Sequence, residues 1–188
     1  MRRVLSFLVI GTLVMLAPRG SDAAGPWKAQ IVDAETKRPI EGVVVVAVWK
    51  KVSPGVIHRE EAFHDAVEVV SDADGHVVIP ARNTWSWKPF TSIEGPTITA
   101  FKGGYQYPWR FQGSESWDFA RDPTPSRRAW EQLAEEGVVI ELVPAKTREE
   151  RLWAVAQRPS APDELIPRWL EAMSQERVRL GLGPWPTR

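Results

Sequence analysis

The stretch VVVVAVW, Val43 to Trp49, constrains the fold more than any other part of the chain. Its β-branched side chains suit a pleated strand and lose rotamer freedom in a helix. It does not alternate apolar with polar, so it predicts a strand buried on both faces. The stretch before it, Pro26 to Ala34, does alternate. Trp27, Ala29 and Ile31 point one way, and Lys28, Gln30 and Asp33 mostly the other. That pattern predicts a half-buried strand. Between the two, AETKRPIEG carries turn chemistry: Pro39 fixes one φ, and Gly42 is free to take a positive one. The pair therefore predicts a β-hairpin or a strand–loop–strand corner.

The rest of the chain reads the same way. Lys50 to Asp65 is polar with a Pro-Gly pair and predicts a long loop. Ala66 to Ala81 predicts a second hairpin, with Val67 and Val69 before DADG and Val77 and Ile79 after it. NTWSWKPF, Asn83 to Phe90, is aromatic and irregular. Thr97 to Phe101 predicts a strand closed by Gly103-Gly104, and Gly137 to Ala145 a last strand. Tyr107 to Pro125 predicts a long aromatic loop, and Thr124 and Pro125 fit the cap and first turn of a short helix through Glu135. The expected core is Ile31, Val44, Val46, Val48, Val69, Val77, Ile79, Ile98, Val139 and Ile140.

Both ends differ from this middle. Arg2 and Arg3 precede the apolar run Val4 to Ala17, and small residues follow at Ser21 to Ala23. This predicts a cleaved signal peptide over residues 1–23, and so a periplasmic or extracellular protein. The run is short for a membrane span, so no membrane insertion is expected after cleavage. At the other end, Thr147 and Glu150 make a capping box. After PSAP, Ile166, Trp169, Leu170 and Met173 recur at helical spacing over Asp163 to Leu180, with Gly181 as the stop. That stripe predicts a helix docked on the strands, with Trp153, Trp169 and Leu170 as candidate contacts.

Lys plus Arg and Asp plus Glu are both 24, a balance that argues against a nucleic-acid partner. The chain has no cysteine, which excludes disulfides, thiolate metal sites and a cysteine nucleophile. His58, His64 and His76 have no ligand spacing that a strand or helix would impose, so no metal is expected. DADG lacks the further oxygen ligands of a calcium loop and reads as a turn. No G-x-S-x-G elbow is present. No catalytic residues and no cofactor are assigned.

The aromatic content is the strongest functional signal. Ten tryptophans are present, and ten aromatic rings crowd the interval from Trp85 to Phe119. Trp85, Trp87, Trp109 and Trp117 are the candidate contacts for a ligand or partner. The competing expectation is a satellite core under the loops, above all for Tyr105, Tyr107, Trp109 and Phe111, whose spacing places four rings on one face of a strand.

Four pieces in order, AQIVDAETKRPIEGVVVVAVW, VVSDADGHVVIP, TITAFKGGYQ and VVIELVPA, resemble the carboxypeptidase regulatory-like, transthyretin-like domains. The resemblance spans about Pro26 to Lys146, interrupted at Lys50–Asp65 and Tyr107–Glu136. It implies a mainly β fold: a seven-stranded Greek-key β-sandwich over residues 24–146, here with a short helical C-terminal extension over residues 147–188. It implies no enzyme activity. The expected function is a non-enzymatic exported binding or scaffolding module, its partner another protein or a glycan. The alternative is a carbohydrate-binding module that uses the loop aromatics.

Overall fold

The computed structural model describes residues 23–55, 58–107, 109–111 and 137–186. The fold is mainly β. In chain order the first strands are β1 (Ala23–Ala24), β2 (Trp27–Asp33), β3 (Val44–Pro54), β4 (Arg59–Val70) and β5 (His76–Ile79). There follow β6 (Arg82–Asn83), β7 (Ser92–Phe101), β8 (Arg110–Phe111) and β9 (Val138–Leu142). The helices are α1 (Arg148–Ala154) and α2 (Pro167–Arg179), with a 3-10 turn at Asp163–Leu165 before α2. One sheet has the order β5-β2-β9-β8 and the other β4-β3-β7, while β1 pairs only with β6. Within the first sheet β2 and β9 run parallel, and the other pairs are antiparallel.

The parity of β3 explains its composition. Val45, Ala47 and Trp49, with Val43 just before the strand, face the other sheet. There they meet Trp27, Ala29 and Ile31 of β2, Val77 and Ile79 of β5, and Ile140 and Leu142 of β9. Val44, Val46 and Val48 face the opposite way, onto Ile166, Trp169 and Met173 of the C-terminal segment. The strand is thus the middle of three layers, and both of its faces have to be apolar. The expected burial on both faces is met. Val44, Val46 and Val48, however, line a second core beneath the helices rather than the space between the sheets. Val69 is partly buried against the first core, and Val139 is half-buried outside both.

Of the two alternatives for the first stretch the corner is the one observed, and the hairpin predicted at Ala66 to Ala81 is a corner as well. β2 and β3 lie in different sheets, joined by a loop in which the Asp33 carboxylate accepts the Glu35 and Thr36 N–H groups at 2.9 and 2.8 Å. β4 and β5 also lie in different sheets, although DADG does form a tight turn. Asp72 Oδ1 accepts the Asp74 and His76 N–H groups at 3.0 and 2.8 Å, and Gly75 has φ +75°. A Cβ on Gly75 would lie 2.4 Å from the Ile31 carbonyl oxygen, which only glycine avoids. The buried Ser71 divides the two directions. Its Oγ accepts the Val43 N–H at 2.8 Å and donates to the Ile40 carbonyl at 2.7 Å, so the end of β4 stays with β3 while β5 crosses to β2.

The long loop predicted at Lys50 to Asp65 is mostly strand. β3 continues to Pro54, and β4 pairs with it from Arg59 onward. A bulge at Trp49/Lys50 shifts the register, and beyond it the ribbon is largely solvated, with Val52 still buried. Lys50 and Glu61 pair across it at 2.8 Å. With polar residues on both faces there is no apolar alternation to read. β7 likewise begins at Ser92, earlier than its apolar stretch, because it pairs with this ribbon at Lys50, Lys51 and Val52.

The C-terminal segment docks as predicted through Ile166, Trp169 and Met173, all fully buried. Burial of such side chains is worth roughly 1.5–3 kcal/mol each. The Trp169 ring packs on Phe101 of β7, centroids 5.4 Å apart. Thr147 caps α1 through the expected capping box with Glu150. The stripe is not one continuous helix. Ile166 precedes Pro167 and takes φ −131°, so the 3-10 turn stops there and α2 begins at the proline. Leu170 is half-buried, but Trp153 is 60% exposed and does not dock. The helix predicted from Thr124 to Glu135 and the signal segment lie outside the described residues, except that β1 sits at the proposed cleavage point.

Candidate functional site

The aromatic stretch after β6 is an irregular loop, residues 84–91, that turns at Lys88–Thr91 and leads into β7. Its base is fixed on one side by Arg82, whose Nε donates to Asp65 Oδ2 at 2.8 Å and whose guanidinium stands 6.0 Å from the Trp49 ring centroid. Within the loop the polar side chains bond to the loop's own backbone. Asn83 Oδ1 accepts the Trp85 N–H at 2.9 Å, and Ser86 Oγ accepts the Lys88 N–H at 3.3 Å. The Thr91 N–H donates to the Lys88 carbonyl at 3.3 Å. These bonds shape the loop without covering its rings.

Exposure alternates along it. Thr84 and Ser86 are half-buried, whereas Trp85 and Trp87 are 63% and 76% exposed. Both indoles therefore face water. Phe90 follows at 88% exposed, with φ +59°. A bulky residue in the left-handed region is an outlier. This one holds a ring in solvent, so core packing does not explain it. Lys88 stands between Trp87 and Phe90, and no carboxylate occurs from Asn83 to Ile93.

Of the four predicted contacts, the structure brings together Trp85 and Trp87. Trp109 is a correction. It is 8% exposed, belongs to the core between the sheets, and donates its Nε1–H to the Ile98 carbonyl at 3.2 Å. Trp117 lies outside the described residues. The expected row of four rings is also corrected. Tyr105 and Trp109 pack on the core between the sheets and Tyr107 on the core under the helices, because β8 is short and the chain before it is irregular. Phe90 and Lys88 were not singled out from the sequence. The proline between them, with an aromatic on each flank, marks an irregular segment but does not tell an exposed ring from a buried one.

Three buried or bonded carboxylates elsewhere, Glu141, Asp33 and Glu176, are committed to structure. Glu141 is buried, with Lys37 Nζ at 2.6 Å from one oxygen and Arg110 Nε at 3.0 Å from the other. The Lys37 bond chiefly, with Arg110, outweighs burial and holds its carboxyl below the usual range. A lone acid inside VVIELV is the sequence signal for such a paired buried charge. Burial would raise the Asp33 carboxyl, but bonds from Thr36, Glu35 and the Tyr105 hydroxyl lower it on balance. Glu176 is buried against Arg151 at 2.6 Å. His58, His64 and His76 are exposed, and among the described residues no three His, Asp or Glu side chains form a metal cluster. No described helix is long and apolar enough to cross a membrane.

Neither a family model, nor a curated protein, nor a solved structure matches this chain.

Proposed function

We propose that this chain is an exported, non-enzymatic binding or scaffolding module of the carboxypeptidase regulatory-like type, with the loop at residues 84–91 as its contact surface. The observation that carries this reading is the exposure of Trp85, Trp87 and Phe90 in a chain that buries Trp27, Trp49, Trp109 and Trp169. Rings held in water by a bonded loop add nothing to the core and fit a surface that a partner covers. The commitment of Asp33, Glu141 and Glu176 to ion pairs and hydrogen bonds favours binding over catalysis.

The finer fold in this reading is a seven-stranded Greek-key sandwich over residues 24–146. Its support is the count of strands once β1 and β6, which pair only with each other, are set aside, four facing three across one apolar core. Residues 147–188 are its helical extension. Export to the periplasm or the cell exterior rests on the apolar run Val4 to Ala17 and the small residues before Ala24.

A second reading, a carbohydrate-binding module, is favoured by the exposure of Trp85 and Trp87 two residues apart, where two indoles could stack on a sugar chain. A glycan panel comparing the protein with Trp85→Ala/Trp87→Ala tests it. Retention by a glycan that the variant loses supports the second reading. Any partner bound equally well by both proteins places the contact surface elsewhere.

A further inference from the structure

We infer that the surface contacted by residues 84–91 is the headgroup region of a lipid bilayer; this rests on the reading of that loop as the contact surface. Three features converge. First, the loop presents two indoles and a phenyl ring, 63%, 76% and 88% exposed, within six residues. Tryptophan favours the membrane–water interface, where its amphipathic ring sits at the headgroup level. A phenyl ring has no polar atom to offer a sugar or a hydrated partner, and Phe90 is the most exposed of the three. Second, the loop's charge suits phosphate. Lys88 lies between Trp87 and Phe90 with no ion pair found among the described residues, and no carboxylate interrupts Asn83 to Ile93. Third, acceptors suited to sugar hydroxyls are engaged within the loop. Asn83 Oδ1 and Ser86 Oγ already accept backbone N–H groups. The exposed side chains from Trp85 to Phe90 are three rings, a proline and one cation.

The geometry is that of a shallow anchor. The loop is held at its base by Arg82–Asp65 and by the entry into β7, so the rings are presented without first ordering a disordered segment. A loop of this size docks at headgroup depth and sends no segment across. One short cluster of this kind gives reversible attachment, comparable to a single lipid chain.

The test uses the protein recovered from the exported fraction, its N-terminus checked by mass so that no residual apolar leader contributes. It is sedimented with vesicles of phosphatidylcholine and, separately, of phosphatidylglycerol. Binding to both is expected, tighter to the anionic vesicles. Trp85→Ala/Trp87→Ala/Phe90→Asn is expected to weaken both by at least about tenfold. Asparagine is chosen because it tolerates the left-handed backbone of Phe90. Lys88→Gln is expected to weaken anionic binding by about fivefold and leave the neutral vesicles unchanged. Trp153→Ala, which removes an equally exposed indole from α1, is expected to change nothing. Should the triple variant lose its fold, Trp87→Ala alone carries the test, with an unchanged melting curve as its check. No sedimentation of the parent protein, or sedimentation that survives loss of the rings, overturns the inference. Glycan retention that needs Trp85 and Trp87, with no vesicle binding, overturns the lipid assignment while leaving the loop as the contact surface. Loss of neither activity in the variant overturns both readings together.

Discussion

Glu68 on β4 accepts the backbone N–H of Trp169 at 2.6 Å on Oε1, and its second oxygen accepts that of Arg168 at 3.1 Å. A side chain about a hundred residues away thus serves as the N-terminal cap of α2. The residue at the cap position, Ile166, has no side-chain oxygen and makes no such bond. A carboxylate there satisfies two orphan donors and sits at the positive end of the helix dipole. Glu68→Ala is therefore expected to cost about 1–2 kcal/mol, as for loss of an N-cap. Glu68→Gln, which keeps an acceptor but not the charge, is expected to cost less. Urea unfolding of the three proteins measures this. Equal midpoints for all three would mean that the helix is held by its apolar face alone.

The buried partners of that helix carry more energy. Trp169→Ala is expected to cost about 3–5 kcal/mol, since the indole is fully buried against Phe101 and the even-numbered valines of β3. Val46→Ala, in the same core, is expected to cost on the order of 1–4 kcal/mol. Removing residues 147–188 uncovers Val44, Val46, Val48 and Phe101 together. A lower melting temperature and self-association by light scattering are the expected result.

Acid is expected to weaken the protein through Glu141. Its carboxyl titrates below the usual 4.5 in the folded chain, chiefly because of Lys37. A depressed folded-state pKa contributes stability that is present above the unfolded value and lost as pH falls through the folded one. Glu141→Gln is expected to lower the unfolding midpoint at neutral pH and to reduce its decline below the ordinary 4.5. Parallel pH profiles for the two proteins would show that Glu141 is not the group responsible.

Alkali acts through Tyr105. Burial, and then its bond to the Asp33 carboxylate, push the hydroxyl from 10.0 up to about 12. A raised folded-state pKa contributes stability that is intact below the unfolded value and lost as pH rises through the folded one. Tyr105→Phe is expected to be less stable at neutral pH and to lose less between pH 10.0 and about 12. Thermal melts across that range give the comparison.

Much of the fold is legible because burial writes itself as pattern. The alternation at Trp27–Ile31 and the unbroken run at Val43–Trp49 each report how many faces a strand buries. What stayed hidden is whatever depends on distant partners. The DADG turn reads the same whether its flanking strands pair with each other or part into two sheets, and Ser71 makes that choice through bonds to Ile40 and Val43. The solvated ribbon of Lys50–Pro54 and Arg59–His64 is strand by pairing alone. At the candidate site, Trp85 and Trp109 are the same residue type in similar irregular surroundings. Trp109 enters the core between the sheets, with its Nε1–H on the Ile98 carbonyl of β7, whereas Trp85 stays in water.

The two-sided burial of β3 has a consequence for alignment fidelity. In a strand with one wet face, a slip by one residue drives polar groups inward, and that penalty polices the pairing. Over Val43–Trp49 polarity is silent, since a slipped chain would still offer apolar groups to both layers. Alignment has to be enforced by shape and by fixed points. Trp49 is too large for any valine site, Ser71 clamps the start of the strand through Val43, and the bulge at Trp49/Lys50 fixes where the dry segment ends. A one-residue deletion between these clamps would leave composition almost untouched and still exchange which valines meet the helices and which meet the opposing sheet.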